Sequence, residues 1–258
     1  MAGSQFPAVA IVVGALWIMV GAAAGQALVE EAVEFEGVNF RVVRVAPARV
    51  QMRWKGENGE PMRAFGVVQD RLAKEGHEAA FLMNGGIFEP GGIPTGLYIE
   101  EGKELRPLNL EQKEGNFYLL PNGVFLIRKM PEGITASLWP TKVYVNWLKL
   151  KPGREPPVFA VQSGPLLLQR GLIHLKFARN SKSKLVRNGV GVDGKGRVVF
   201  AATAKGQVTN LYGFARLFRD SLDCQNALFL DGDLSQMAVN PESRVRSNLF
   251  GSIILVTK

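Results

Sequence analysis

The sequence predicts an α+β fold: a single domain with a mixed, largely antiparallel sheet, a βαβ crossover near the C-terminus and a few helices. Three observations lead there. Short runs that are apolar or alternate in polarity, rich in Val, Ile, Leu and Phe, recur along the chain between Gly, Pro and Asn turn signals. Helical spacing of apolar residues occurs in only a few places. Near the C-terminus, a strand pattern, a helix pattern and a second strand pattern follow one another closely, the order of a crossover unit that makes its two strands parallel.

Taken in order, residues 1–27 contain no charged side chain, and an apolar run from Val9 to about Val20 precedes small residues. This is the pattern of a signal peptide, or of an uncleaved membrane anchor given the length of the apolar stretch. Residues 28–258 then form the domain, and the expected location is exported, periplasmic or extracellular, with possible membrane attachment through the N-terminal segment. "VNFRVVRV" and "ARVQMRW" read as strands. Met62, Phe65, Val68 and Leu72 recur at helical spacing, so a helix is expected over 61–75, with Pro61 in its first turn and Gly76 as its stop. "AAFLM" is a short strand. "GLYIE", "NFYLL", "GVFLIR", "VFAVQS" and "PLLLQR" lie between turn signals and predict antiparallel sheet. In "SLWPTKVYVNWLKL", Pro140 opens a short helix. "GRVVFAAT", a helix marked by Leu211, Ala215, Phe218 and Leu222 with Thr209 or Asn210 as its cap, and "NALFL" form the crossover; "SIILVT" closes the sheet.

With 258 residues and 47% apolar composition the chain can bury a substantial core. A net charge of +8 raises nucleic acid as a partner, but the basic residues are scattered apart from "RNSKSKLVR", and no nucleic-acid-binding signature accompanies them. No nucleic acid is expected. The single Cys224 allows no internal disulfide and, between an apolar helix and a strand, reads as a small packed residue. Two histidines, His77 and His174, argue against a histidine-rich zinc site.

Two junctions are alike: "EAAFLMNGGIF" and "QNALFLDGDLS" each carry an apolar strand into Asn or Asp followed by Gly. Loops at strand ends project polar groups that the buried strand cannot, so Asn84 and Asp231 are the catalytic candidates. Gly85, Gly86 and Gly232 are expected to turn the chain sharply, often at positive φ, and to admit a ligand to backbone N–H groups. Ser163 and Gly164, in "QSGP", form a tight turn facing the ligand. Arg187 and Asn188, in "RNGVG", and Ser235 complete the binding set. Lys182 and Lys184 read either as softer attractors at the entrance or as a solvated loop. Asp231, Asp233, Ser235 and Glu242 sit at positions of a calcium-loop template, but Gln236 stands where that loop needs Gly. No metal or other cofactor is assigned.

Several stretches together, "MNGGIF", "PTGLYIEEGKELRPLN", "GNFYLLPNGVFLI", "QSGPLLLQRG", "RNGVGVDGKGRVVF" and "LFLDGDLS", resemble the phosphodiester glycosidase family in its short bacterial branch, over about residues 80–236. The resemblance implies an α+β catalytic domain, hydrolysis of a sugar-1-phosphodiester, and a glycan phosphodiester as the small-molecule partner; with such a substrate, Arg187 is suited to grip two phosphate oxygens. One departure stands out. The family motif usually reads LDGG followed by a serine pair or Gly-Ser; here Asp233 replaces the second Gly and Ser235 alone remains. An added carboxylate disfavours an anionic substrate, so two other readings stay open. One is a non-catalytic envelope protein that binds a glycan or an anionic wall polymer. The other is a metal-dependent phosphodiesterase.

Overall fold

A computed structural model describes residues 27–150, 153 and 155–258. The predicted signal or anchor segment therefore lies outside the described residues, apart from Ala27. In chain order the strands are β1 (Glu30–Phe35), β2 (Val38–Val45), β3 (Gln51–Arg53), β4 (Ala79–Asn84), β5 (Phe88–Glu89), β6 (Ile93–Pro94), β7 (Tyr98–Glu100), β8 (Lys103–Arg106), β9 (Gly123–Met130), β10 (Gly133–Pro140), β11 (Phe159–Ser163), β12 (Leu166–Gln169), β13 (Leu172–Ile173), β14 (Asn188–Asp193), β15 (Val198–Thr203), β16 (Cys224–Asp231), β17 (Met237–Val239) and β18 (Ile253–Thr257). The helices are α1 (Phe65–Lys74), α2 (Thr141–Leu150) and α3 (Leu211–Arg216), the last continued by a wider π turn over Leu217–Ser221.

Three sheets surround one shared core. A seven-stranded sheet has the order β1-β2-β15-β14-β16-β12-β13, a five-stranded sheet β10-β9-β11-β7-β8, and a four-stranded sheet β17-β4-β18-β3. Strand alternation explains the arrangement, because the central strands are apolar on both faces. On β16, Leu228 and Leu230 enter the shared core while Ala227 and Phe229 face α3. On β18, Ile254 and Val256 point inward while Ile253 and Leu255 meet Phe65, Val68 and Leu72 of α1. On β9, Phe125 and Ile127 point inward while Val124 and Leu126 pack with Tyr144 of α2. Each helix thus covers the outer face of one sheet, which is why the apolar runs carry so little polar alternation.

The α+β class holds, with corrections of detail. The crossover is present: β15 and β16 are joined through α3 and run in the same direction. However, β14 lies between them and is antiparallel to both, so they do not pair. Among the described residues every strand pairing is antiparallel, and the sheet is not mixed. The first helix begins at Phe65, not at Pro61, because Pro61 forms a bridge with Lys55 and Ala64 is extended; Gly76 follows its end at φ +78. Pro140 ends β10, and α2 starts at the next residue. Asn210 is the cap of α3, its side chain accepting the Gly213 N–H at 2.8 Å. "NFYLL" is a 3-10 turn over Asn116–Tyr118, not a strand. Its aromatic Phe117 is buried, which gives the apolar pattern without sheet pairing.

Candidate functional site

Asn84, Ser163 and Asp231 are the last residues of β4, β11 and β16, one strand from each sheet. The three sheets converge where these strands end. Asn84 Nδ2 donates to Asp231 Oδ2 at 2.9 Å, joining the two junctions that the sequence pairs. The Asn84 amide is held in that orientation. Its Oδ1 accepts from Asn188 Nδ2 at 2.9 Å and from the Gln236 N–H at 2.9 Å, so its Nδ2 must face the carboxylate. Asn188 Nδ2 also reaches the Asn84 carbonyl at 3.0 Å. Asn188 is opposite Asp231 in the β14–β16 ladder, where a register shift leaves Leu230 as an extra residue and re-aims the strand end.

Asp231 Oδ1 accepts the Gly232 N–H at 2.7 Å, and Ser235 Oγ donates to the Asp231 and Gly232 carbonyls, closing the loop. Burial pushes the Asp231 carboxyl up to about 6; the Gly232 and Asn84 donors oppose that rise, and the nearby Asp233 charge adds to it. A carboxyl group in this environment is ionised at neutral pH yet poorly solvated, which suits a base or nucleophile.

The glycines serve different purposes from those expected. Gly85, Gly86 and Gly232 are not among the positive-φ residues. A Cβ on Gly85 would lie 2.3 Å from Ser252 Oγ, and one on Gly86 would meet Gln162 O, Ser163 Cβ and Val161 Cγ2 at 3.1 Å, so close packing requires both. Gly232 has room, its nearest neighbour being 3.8 Å away. Ser163 is fully buried: its Oγ donates to the Leu230 carbonyl at 3.0 Å and accepts the Ile87 N–H at 3.3 Å, tying the loop after Asn84 to β16. Gly164 precedes a cis proline and packs against Asn122 and the Phe117 carbonyl.

Arg187 is placed differently from the other candidates. It is only 1% exposed, its Nε donates to the Thr209 carbonyl at 2.8 Å and its Nη2 to the Ser183 carbonyl at 3.1 Å, and its guanidinium lies over the Phe229 ring. Burial lowers its pKa to about 10, with Asp233 as the charge that opposes this. Two of its donors thus fasten the 183–209 loops, while its Nη1 is buried without a hydrogen-bond partner among the described residues. Lys182 and Lys184 line a separate cleft of about 410 Å³ with Arg179 and Tyr212, which includes neither Asn84 nor Asp231. Cys224 is buried and its thiol is pushed up to about 12, chiefly by burial, as expected of a packed residue. Sequence reasoning missed Gln236, whose backbone N–H helps fix Asn84, and Ser252, whose carbonyl accepts the Gly85 N–H at 2.9 Å. Neither contact has a local signal, because both depend on chain segments meeting across sheets.

A second cleft, of about 630 Å³, opens beside the Asp231 loop and is lined by Asp233, Ser235 and Gln236 together with Arg41, Lys205 and Arg246; Asn84 and Asp231 are not on its lining either, but it adjoins them through Ser235 and Gln236. Among the described residues, no group of three or more His, Cys, Asp or Glu side chains is arranged to hold a metal ion.

Fold and site together define an antiparallel α+β protein with a desolvated carboxylate, oriented by a carboxamide, at a convergence of strand ends. Comparison with known proteins gives this class a family. The phosphodiester glycosidase family profile matches residues 77–253, and the chain belongs to that family. It is 36% identical over 189 residues to the Escherichia coli K12 uncharacterized protein YigE, covering 73% of this chain and 69% of that one. Its fold is similar to the catalytic domain of zebrafish N-acetylglucosamine-1-phosphodiester alpha-N-acetylglucosaminidase, auto-inhibited by its pro-peptide, with a TM-score of 0.62 at 16% identity over 91% of this chain and 84% of that one. A putative exported protein of Burkholderia pseudomallei K96243 shares the fold at a TM-score of 0.56 and 12% identity, over 85% of this chain and 74% of that one.

Proposed function

We propose that this protein is a hydrolase that cleaves the C1–O bond of a sugar-1-phosphodiester, with Asp231 as the reacting carboxylate. One observation carries the reading: the Asn84–Asp231 hydrogen bond of 2.9 Å at the convergence of strand ends, on a carboxyl group pushed up to about 6. Each Asp231 oxygen already accepts one hydrogen bond, from Asn84 Nδ2 or Gly232 N–H, and retains a lone pair for water or for the sugar carbon. Bond cleavage builds positive charge on the sugar ring, which an adjacent carboxylate stabilises as nucleophile or serves as base toward water. The departing group is a phosphomonoester, a stable anion at neutral pH, so protonation by a second carboxylic acid is not required. Asn84 keeps the carboxylate oriented.

The uncharged first 27 residues support an exported protein, cleaved from or anchored by that segment. Export is tested by fractionating cells that express the full chain. Activity is tested by incubating the purified protein with a panel of sugar-1-phosphodiesters, with and without a chelator. Release of free sugar that Asp231→Asn abolishes supports the reading. Glycan binding without turnover overturns it, and loss of activity on chelation alone transfers the chemistry to a metal ion.

A further inference from the structure

We propose that the anionic phosphate of the ligand is held by Lys205 and Arg246, across the cleft beside the Asp231 loop. This rests on the glycosidase reading for its substrate class, although the anion site itself does not need turnover. The cleft, about 630 Å³, falls within the usual range for a small-molecule site. Its wall is continuous with the candidate site: Ser235 donates to the Asp231 carbonyl, and the Gln236 N–H donates to Asn84 Oδ1.

Its cations divide into committed and free. Arg41 is spent on the Glu30 carboxylate and on the Met237 carbonyl at 2.8 Å. Lys205 and Arg246 are exposed and, among the described residues, neither has an ion-pair or hydrogen-bond partner. The other candidate cations stand elsewhere. Arg187 is not on this cleft's lining and is buried with two donors on backbone carbonyls and its Nη1 unpartnered among the described residues, while Lys182 and Lys184 belong to the other cleft. Arg246 can fork onto two phosphate oxygens and Lys205 adds a point charge. Among the described residues, Asp233 is the only carboxylate on the lining, so it competes with a bound phosphate for these cations and sets a preference against highly charged ligands.

The test uses the full chain, its Lys205→Gln, Arg246→Gln and doubly substituted variants, and two probes: inorganic phosphate in calorimetric titration, and N-acetylglucosamine 1-(methyl phosphate) in hydrolysis. Both side chains are exposed, so the variants should fold, and unfolding midpoints check this. The double variant should bind phosphate about two- to thirty-fold more weakly than wild type, since two exposed ion pairs contribute that much at low salt. Wild-type binding should weaken as salt is added. With the diester, KM should rise by a similar factor while kcat holds. Phosphate binding that depends on the pair, without any hydrolysis, upholds the anion site and removes the glycosidase reading. Hydrolysis with unchanged KM in the double variant does the reverse. Phosphate binding that is absent in wild type, or equal in all variants, overturns the proposal.

Discussion

Replacing Asp231 by Asn should slow turnover by orders of magnitude and at the same time remove a pH dependence from the stability of the fold. The carboxyl group has an ordinary value of 3.8 and is raised to about 6 in the folded protein, first by burial. Between those values the unfolded chain is ionised while the folded chain keeps its proton, so the folded state binds more protons and stability falls as pH rises. The stabilising contribution is complete below pH 3.8 and is lost once pH passes about 6. A shift of roughly two units corresponds to about 3 kcal/mol. Asn is close in shape and carries no charge to desolvate, but both Asp231 oxygens accept hydrogen bonds, from Asn84 Nδ2 and the Gly232 N–H, so the Asn amide nitrogen faces a donor and leaves it unpaired. In urea unfolding the difference between Asp231→Asn and wild type should move in the variant's favour by about 1–3 kcal/mol between about pH 4 and pH 7.5, on top of a pH-independent cost of about 1–3 kcal/mol for the unpaired donor. Hydrolysis should fall by about 10²–10⁴-fold, and the wild-type rate should rise with pH through a limb near 6. A gap independent of pH, or one that moves in the wild type's favour as pH rises, would refute the account of Asp231 as a desolvated carboxylate.

Other substitutions test the supporting residues. Asn188→Ala removes the donor that fixes the Asn84 amide; it should cost about 1–3 kcal/mol of stability and lower kcat more than it raises KM. It should also move the acid limb upward, because Asn84 no longer steadily opposes protonation, and an unmoved limb would leave Asn188 a purely structural role. Asp233→Gly should lower the acid limb by removing a like charge from Asp231, and should tighten phosphate binding; Asp233 is not at positive φ, so the exchange asks nothing unusual of the backbone. Gly85→Ala should destabilise the protein by about 1–3 kcal/mol, read in urea unfolding, because the added methyl would meet Ser252 Oγ at 2.3 Å. Cys224 should react with a thiol reagent only as the protein unfolds, since it is buried with a pKa near 12.

Much of the local structure was legible because local physics determines it. The run "VNFRVVRV" is β2 residue for residue, and Asn210 caps α3 as its side chain allows. "NFYLL" misled because an apolar run is the same signal whether the residues pair in a sheet or tuck Phe117 under a turn. Burial on both faces removed the polar alternation that would have separated the three sheets. Strand partners were therefore illegible, and β14 between β15 and β16 had to be seen in the fold.

The candidate site divides in the same way. The sequence by itself determined that Asn84 and Asp231 end apolar strands, that Asp233 departs from the family motif, and that the chain resembles phosphodiester glycosidases. These are properties of neighbouring residues. Only the tertiary structure decided that the two side chains touch, that Asn188 and Gln236 lock the amide between them, and that Arg187 is buried while Lys205 and Arg246 remain free. Those depend on where three sheets converge, and on which charged groups packing leaves in contact with water.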